Sequence, residues 1–307
     1  MSSDGFWMRI RLAWRAGIAS LNNIKTVCSI QGNKQVCLDW PVHVGVVMSA
    51  VDFASFVDDL ATQSGAAILP FFRTSLAATD KAPGGVFDPV TEADRASEVV
   101  MRQMIKSTFP EHGIIGEEYG SENEDAEFVW VLDPIDGTKA FISGLPLWGT
   151  LIGLTRNGRP CYGMMHQPFT RERFFGDGGV AKWRGPGGER ILKSRSCPSL
   201  KEATLSTTTP AMFEGRDKEA YERVESLARL TRYGCDCYAY SMIAAGHMDV
   251  VVETKLKPYD IVALVPIVEG AGGVVTDWQG GSPANGGSIV ATGDPRLHEE
   301  VLKLLNA

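Results

Sequence analysis

The chain has 307 residues, of which 44% are hydrophobic and 22% charged, and its formal net charge is −7. This is the composition of a globular protein that can bury one or two cores. The acidic balance argues against a nucleic-acid-binding surface, and no apolar run reaches the ~18 residues of a membrane span, so we expect neither partner.

The cysteines predict a reducing compartment. The chain has six, and they are scattered without the spacing of a zinc site. Such thiols are typical of proteins that work inside the cell, and we expect a cytoplasmic location.

The first 47 residues differ in charge from the rest. They carry five basic and two acidic residues, whereas the remainder is acidic. A basic amphipathic stretch with Trp7 and Trp14 is typical of a transit peptide, but we favour the alternative, a start codon placed too far upstream of Met48. We treat 1–47 as a disordered extension and 48–307 as the folded part.

Apolar periodicity predicts alternating helices and strands from residue 51 onward. Helices are expected at 53–71, 92–109, 217–227, 238–245, 260–271 and 295–305. Strands are expected at 114–118, 128–132, 147–155, 160–166, 173–177, 204–208, 248–253, 274–276 and 288–292, with a loop at 80–88 and a hairpin loop at 178–202. Sheets layered with helices predict an α+β fold, a layered αβαβα sandwich with parts at about 48–200 and 201–307.

The turn after the strand at 128–132 carries two carboxylates, Asp133 and Asp136. At close range they repel each other by about 4 kcal/mol in an effective dielectric of about 20, and a hard divalent cation is the usual remedy. The amides of Gly137 and Thr138 could hold an anion beside it. The alternative is an ordinary surface turn, for which Asp, Pro and Gly are common residues.

Further acids lie at the ends of predicted elements: Asp94, Glu117, Glu118 and Asp260. Each has a structural alternative, because Asp94 could complete a capping box, Asp260 could favour a helix dipole, and the two glutamates could form a solvated turn. Their joint placement at element ends would let them converge on one cation site.

Three motifs occur in a characteristic order: Ile-Gly-Glu-Glu at 115–118, Leu-Asp-Pro-Ile-Asp-Gly-Thr at 132–138, and Asp260 followed by Glu-Gly-Ala-Gly-Gly at 269–273. From about Val51 to Ala307 the chain resembles the inositol monophosphatase superfamily of metal-dependent phosphomonoesterases. The resemblance implies two Mg²⁺ ions and a weaker third. The first would be held by Glu117, Asp133 and the Ile135 carbonyl, the second by Asp133, Asp136 and Asp260, and the third would be served by Asp94 and Glu117.

The same resemblance implies how the ester is cleaved. Thr138 would orient the attacking water, with Glu117 and Asp94 beside it, and the amides of Gly137 and Thr138 would receive phosphate oxygens. Two cations would clamp the phosphoryl group during an in-line displacement. Relatives of this kind are usually homodimers, so we expect one here.

The stretches 136–150, 163–173 and 232–253 resemble the histidinol-phosphatase branch of the superfamily. Histidinol presents an ammonium group, which carboxylates would meet, and Asp236 and Glu253 are the candidates. Asp236 could instead be only the N-cap of the helix near Tyr238. Arg232 would reach the phosphate or a neighbouring subunit, and Asp136 and Asp260 would border the substrate as well as the metals.

The sequence therefore predicts a Mg²⁺-dependent histidinol-phosphatase that releases L-histidinol and phosphate in histidine biosynthesis. The alternative within the superfamily is an inositol-phosphate, sugar-phosphate or nucleotide monophosphatase. A remote alternative of another class is an inactive phosphate-binding protein that keeps the fold.

Overall fold

The computed structural model describes residues 53–74 and 92–307 in full, together with four short strands. These strands are β1 (Thr26–Gln31), β2 (Lys34–Asp39), β3 (Thr79–Asp80) and β4 (Pro89–Val90). β1 and β2 pair as an antiparallel hairpin within a unit of residues 1–53, and residues 54–307 form a second compact unit. The predicted loop at 80–88, apart from Asp80 at the end of β3, lies outside the described residues. So do Thr91, which would be the partner of Asp94 in a capping box, and the rest of 1–47.

A mixed sheet of eight strands forms the first half of the large unit, in the order β12-β11-β10-β9-β8-β7-β5-β6. Its strands are β5 (Gly113–Gly116), β6 (Gly120–Glu122), β7 (Phe128–Asp136), β8 (Gly149–Arg156), β9 (Arg159–Gln167), β10 (Glu172–Gly176), β11 (Ala181–Gly185) and β12 (Gly188–Ile191). Only β5 and β7 run parallel, and the remaining pairs are antiparallel.

A second sheet of five strands has the order β14-β13-β15-β17-β16. Its strands are β13 (Thr204–Thr207), β14 (Leu230–Tyr233), β15 (Val250–Leu256), β16 (Val274–Asp277) and β17 (Gly287–Thr292). Along β15 the side chains alternate between two cores, because Val251 belongs to one buried cluster while Val250 and Val252 belong to another.

The described part of the chain contains eight α-helices. They are α1 (Phe53–Ile68), α2 (Glu92–Thr108), α3 (Thr138–Ile142), α4 (Gly215–Glu225), α5 (Asp236–Ala244), α6 (Pro258–Ile261), α7 (Leu264–Gly270) and α8 (Pro295–Leu305). α1 and α2 pack on the outer face of the first sheet, α5 and α7 lie between the sheets, and α4 and α8 cover the second sheet. The predicted αβαβα sandwich is thereby confirmed.

Three glycines lie side by side across the first sheet, where the α6–α7 connection packs onto it. Gly153 of β8 is paired with Gly163 of β9, and Gly163 with Gly176 of β10. A Cβ atom on Gly163 would overlap the Ala263 carbonyl oxygen, and one on Gly176 would lie 2.5 Å from the Pro266 carbonyl oxygen. We call Gly153, Gly163 and Gly176 the glycine row. It lets helix backbone rest directly on sheet backbone.

Three local predictions need correction. The predicted single helix 260–271 is two helices, because the chain breaks at Val262 and Ala263, where it rests on the glycine row. The predicted hairpin loop at 178–202 contains two strands, β11 and β12, and the edge strands β6 and β14 were not predicted. Asp294 is the N-cap of α8, since its carboxylate accepts a 3.0 Å hydrogen bond from the Arg296 amide.

No helix in the described ranges is both long and apolar enough to cross a membrane.

Candidate active site

The central feature is an irregularity at the end of β7. Asp133 is paired with Leu151 of β8 and Asp136 with Gly149, so that the two residues between them on β7 oppose the single residue Thr150 on β8. The Thr150 hydroxyl donates a hydrogen bond of 2.8 Å to the Pro134 carbonyl. This bulge, which the predicted strand 128–132 did not include, keeps both carboxylates at the strand end.

The bulge and α6 bring three carboxylates together. Single oxygens of Asp133, Asp136 and Asp260 all lie within 4.8 Å of one another, and we call these three residues the carboxylate cluster. Asp260 accepts a 2.6 Å hydrogen bond from the Lys257 amide, and Asp136 accepts one of 2.7 Å from the Cys237 amide at the start of α5. The cluster therefore depends on elements that are more than a hundred residues apart in sequence.

The cluster is electrostatically strained. Burial raises the pKa of the Asp133 carboxyl well above its usual range, and the charges of Glu117 and Asp136 raise it further. Burial likewise raises the pKa of Asp136, with Asp236 and Asp260 adding to the effect. For Asp260 burial raises the pKa to about 7, although the Lys257 amide hydrogen bond acts in the opposite direction. Like charges in a dry site produce such shifts.

Glu117 and Asp94 lie beside the cluster, since the charge of each raises the Asp133 pKa. Asp94 is 2% exposed in the first turn of α2. Glu117 follows β5, and its amide donates a 3.2 Å hydrogen bond to the Leu132 carbonyl on β7. The structure thus brings five of the predicted acids into one region, on four separate elements.

A buried ion pair supports the turn after Glu117. Glu98 of α2 is fully buried, and its carboxylate accepts hydrogen bonds from the amides of Glu118 at 2.7 Å and Tyr119 at 3.2 Å. Arg102, one helical turn later, donates to the same carboxylate at 2.7 Å. Glu98 thereby fixes the backbone that carries Glu117.

Gly137 and Thr138 follow the bulge and begin α3. Gly137 has a φ of 89°, a left-handed conformation, and a Cβ atom there would lie 2.8 Å from the Leu147 carbonyl oxygen. The Thr138 hydroxyl donates to the Ile135 carbonyl at 3.2 Å, which leaves its oxygen lone pairs available as acceptors. Amides at a helix start have no partner inside the helix.

A second group of carboxylates adjoins the first. Glu253 is 3% exposed, and its two oxygens accept hydrogen bonds from the Thr208 amide at 2.9 Å and the Tyr240 hydroxyl at 2.8 Å. The Thr208 hydroxyl oxygen lies 2.6 Å from Glu253 and 3.2 Å from Asp236. A hydroxyl has one proton, so Thr208 can donate to only one of these two carboxylates at a time. The carboxylate oxygens of Asp236 can therefore still accept hydrogen bonds from another donor.

Asp236 has an unusual backbone and a charged neighbour. It is the first residue of α5 with a φ of 42°, while the N-cap position is Cys235 and no side chain caps the helix. The alternative of Asp236 as N-cap is therefore wrong. Burial raises its pKa, whereas the Thr208 hydrogen bond and the charge of Lys139 lower it.

Arg232 lies apart from these groups. Its side chain is exposed on the edge strand β14, and its charge acts on the pKa of the Cys235 thiol. Among the described residues it is not one of the groups that shift the pKa of the carboxylate cluster.

The donor set fits Mg²⁺. Its members are all oxygen donors, the ligand type that hard divalent cations prefer. Asp133 Oδ1 is buried and has no hydrogen-bond partner among the residues that the structure describes. Burying an unpaired polar atom costs free energy, and a bound cation would offset this cost. The three carboxylates in reach of one ion are Asp133, Asp136 and Asp260.

Comparison with known proteins agrees with this site. The sequence profile of the inositol monophosphatase family matches residues 51–307. The chain belongs to this family. It is therefore a phosphatase, and the acidic cluster is consistent with the Mg²⁺ that enzymes of the inositol monophosphatase family use.

Individual family members cover most of the chain. It is 43% identical over 265 residues to the bifunctional phosphatase IMPL2, chloroplastic, of Arabidopsis thaliana, covering 82% of this chain and 75% of that protein. It is 36% identical over 224 residues to a histidinol-phosphatase of Mycobacterium tuberculosis, covering 71% and 85%. An inositol monophosphatase structure from Zymomonas mobilis superposes with a TM-score of 0.73 at 41% identity, covering 82% and 97%.

Sequence reasoning did not find Glu98 or Thr208. Glu98 and Arg102 have the four-residue spacing of a helical ion pair, which was a usable signal. Thr208 had none, because its partners Asp236 and Glu253 are 28 and 45 residues further along the chain.

Proposed function

We propose that the chain is a Mg²⁺-dependent histidinol-phosphatase, which hydrolyses L-histidinol phosphate to L-histidinol and phosphate. The observation that carries the proposal is the second carboxylate group beside the first. Asp236 adjoins the carboxylate cluster and has accepting capacity left, so an ammonium group on the substrate could bind it. Glu253 would add negative charge behind it. The histidinol-phosphatase names of relatives at 36% and 32% identity support the same substrate.

Each residue of the site has a role in this proposal. Two Mg²⁺ ions would be held by the carboxylate cluster together with Glu117 and the Ile135 carbonyl. A third, more weakly bound ion would be served by Asp94 and Glu117. When bound, Mg²⁺ supplies Lewis-acid chemistry, which polarises phosphoryl oxygens and makes water more acidic. Thr138 would accept a hydrogen bond from the attacking water, and its amide and that of Gly137 would donate to phosphate oxygens. A homodimer and a cytoplasmic location stay predictions.

A broader substrate range is the second candidate. A relative at 32% identity is named fructose-1,6-bisphosphatase/inositol-1-monophosphatase, of Aquifex aeolicus. In this case Lys139 would neutralise Asp236, and hydroxyl-bearing esters would be accepted equally well.

Phosphate release by the full-length enzyme with Mg²⁺ distinguishes the candidates. We expect a kcat/KM for histidinol phosphate about 100-fold above that for inositol 1-phosphate, or about 3 kcal/mol in transition-state binding. Asp236→Asn should lose most of this preference, while the exposed Asp125→Asn should keep it. Equal rates on both esters, or an unchanged preference in Asp236→Asn, would contradict the proposal.

A further inference from the structure

A cavity of about 470 Å³ lies between α1, the turn after β9 and the hairpin β11–β12. Its walls include the charged or polar side chains of Thr62, His166, Arg171, Arg173 and Arg184, and apolar surface from Leu69, Pro168 and Pro186. None of these residues belongs to the carboxylate cluster or to the proposed substrate site.

The wall carries an excess of positive charge. Arg173 and Arg184 each donate to one oxygen of Asp58 at 2.6 Å, so a single carboxylate serves two guanidinium groups. Glu189 also accepts from Arg184 at 2.9 Å, but it is shared with a lysine. Arg171 has neither an acidic partner nor a hydrogen bond to any residue that the structure describes. A guanidinium group is therefore available to an anion.

His166 supplies a buried acceptor to the same cavity. The ring is 6% exposed, and Nδ1 lies 3.2 Å from the Glu172 carbonyl oxygen. Since a carbonyl only accepts, Nδ1 carries the proton and Nε2 has a bare lone pair. Burial, reinforced by the charge of Arg173, lowers the pKa of His166 to about 4, so that the ring stays neutral at pH 7. Nε2 has no donor among the described residues.

We propose that this cavity is a ligand site for a small organic anion that also carries an O–H or N–H donor on an apolar body. The anionic group would bind Arg171, the donor would bind His166 Nε2, and the body would contact Leu69 and the two prolines. Ligand sites typically combine apolar walls with a few converging polar groups in this way. The inference is independent of the substrate proposed above.

Binding of 4-hydroxybenzoate to the full-length enzyme tests the proposal, because this probe has a carboxylate, a ring and a hydroxyl donor. We expect saturable binding with a Kd of about 1 mM or tighter, measured by NMR on the His166 ring and by calorimetry. Benzoate, which lacks the donor, should bind several-fold more weakly.

Three variants separate the contributions of Arg171 and His166 to the binding of 4-hydroxybenzoate. Arg171→Ala should weaken binding about tenfold, whereas Arg159→Ala, at an exposed arginine that begins β9, should leave it unchanged. His166→Asn keeps a donor for the Glu172 carbonyl and removes Nε2, so it should abolish the preference for 4-hydroxybenzoate over benzoate. Absence of binding to the unmodified enzyme, including exclusion by a second copy of the chain, would overturn the proposal. Equal weakening in Arg171→Ala and Arg159→Ala would do so too.

Discussion

The Asp133 carboxylate is in an environment that disfavours its charge as long as no cation is bound. It is 2% exposed, one of its oxygens has no hydrogen-bond partner in the described part of the chain, and it faces the charges of Glu117 and Asp136. Its place at the end of a buried strand was visible in the sequence. Its burial was not, because Asp260 and Glu117 close the site from elements far away in the chain.

Replacing Asp133 should separate activity from stability. We expect Asp133→Asn to lower kcat/KM by about 100-fold or more, since several kcal/mol of charge stabilisation depends on the bound metal. In EDTA the same variant should melt higher, by about 2–4 °C for each kcal/mol of repulsion removed. Thermal melts and phosphate release measure the two effects, with Asp125→Asn as the control. A variant with normal activity would contradict the role given to this carboxylate.

Glu98 acts on the site through the backbone. In Glu98→Gln the buried Arg102 loses its charged partner, so we expect destabilisation of about 3–5 kcal/mol, reduced by the remaining contact with Glu122. Because Glu98 fixes the turn after Glu117, the apparent affinity for Mg²⁺ should also fall by about 10–100-fold.

A magnesium titration of activity and a denaturant melt check the Glu98 prediction. Glu127→Gln breaks an exposed pair with Arg156 and should change the stability by less than about 1 kcal/mol. If Glu98→Gln lost stability while keeping its magnesium affinity, the ion pair would be structural only.

At the scale of elements, the sequence predicted most helices and strands but not the break between α6 and α7. Apolar periodicity supported one helix from Asp260 to Ala271, but the segment contains Pro266, which cannot donate a hydrogen bond to the Val262 carbonyl and was a local signal against a continuous helix. The break arises where Val262 and Ala263 meet the glycine row, a contact across about a hundred residues of sequence. Hydrophobic periodicity shows which face of a single helix or strand is apolar, but not which distant residues that face contacts.

Gly163→Ala should disturb the site from a distance. The added methyl group would overlap the Ala263 carbonyl oxygen, so α6 and α7 must shift, and overpacking of this kind costs about 1–3 kcal/mol. Because α6 carries Asp260, we expect a lower melting temperature together with a higher magnesium requirement. Gly179→Ala, whose new atom would meet only Asp177 Oδ1 at 3.4 Å, is the control and should behave as the unmodified enzyme.

At the scale of the whole molecule, the order of layers followed from the alternation of helices and strands, and the family resemblance gave the same answer. The strand order within each sheet did not follow from either, because β7 pairs with β5 and β8 through contacts that local pattern does not record. The carboxylate cluster joins these layers, since Asp133 and Asp136 lie on the first sheet and Asp260 on α6.

The effect of Mg²⁺ on stability should therefore depend on pH. An acid whose pKa is raised on folding stabilises the native state only while it is protonated, so metal-free enzyme loses stability as the pH rises from about 4 through 7. Ionised carboxylates are also the form that binds cations. We expect melting temperatures in Mg²⁺ and in EDTA to coincide near pH 4–5 and to diverge through about pH 7.

Differential scanning calorimetry across this range checks the pH prediction. Buried histidines titrate in both conditions and cancel in the difference between the two melts. A difference that stays constant with pH would mean that the cluster is ionised throughout.

The glycine row has one more consequence, for the interpretation of mutational maps. Any side chain at Gly153, Gly163 or Gly176 would push on the α6–α7 segment that carries Asp260, although none of these positions belongs to the carboxylate cluster. In a complete substitution scan, these three neighbouring positions would tolerate no side chain, and they would form a line across the sheet, away from the carboxylates. Such a line would resemble an allosteric pathway between distant sites. Its cause would be steric, because at each of the three glycines an added Cβ atom would overlap the packed α6–α7 segment.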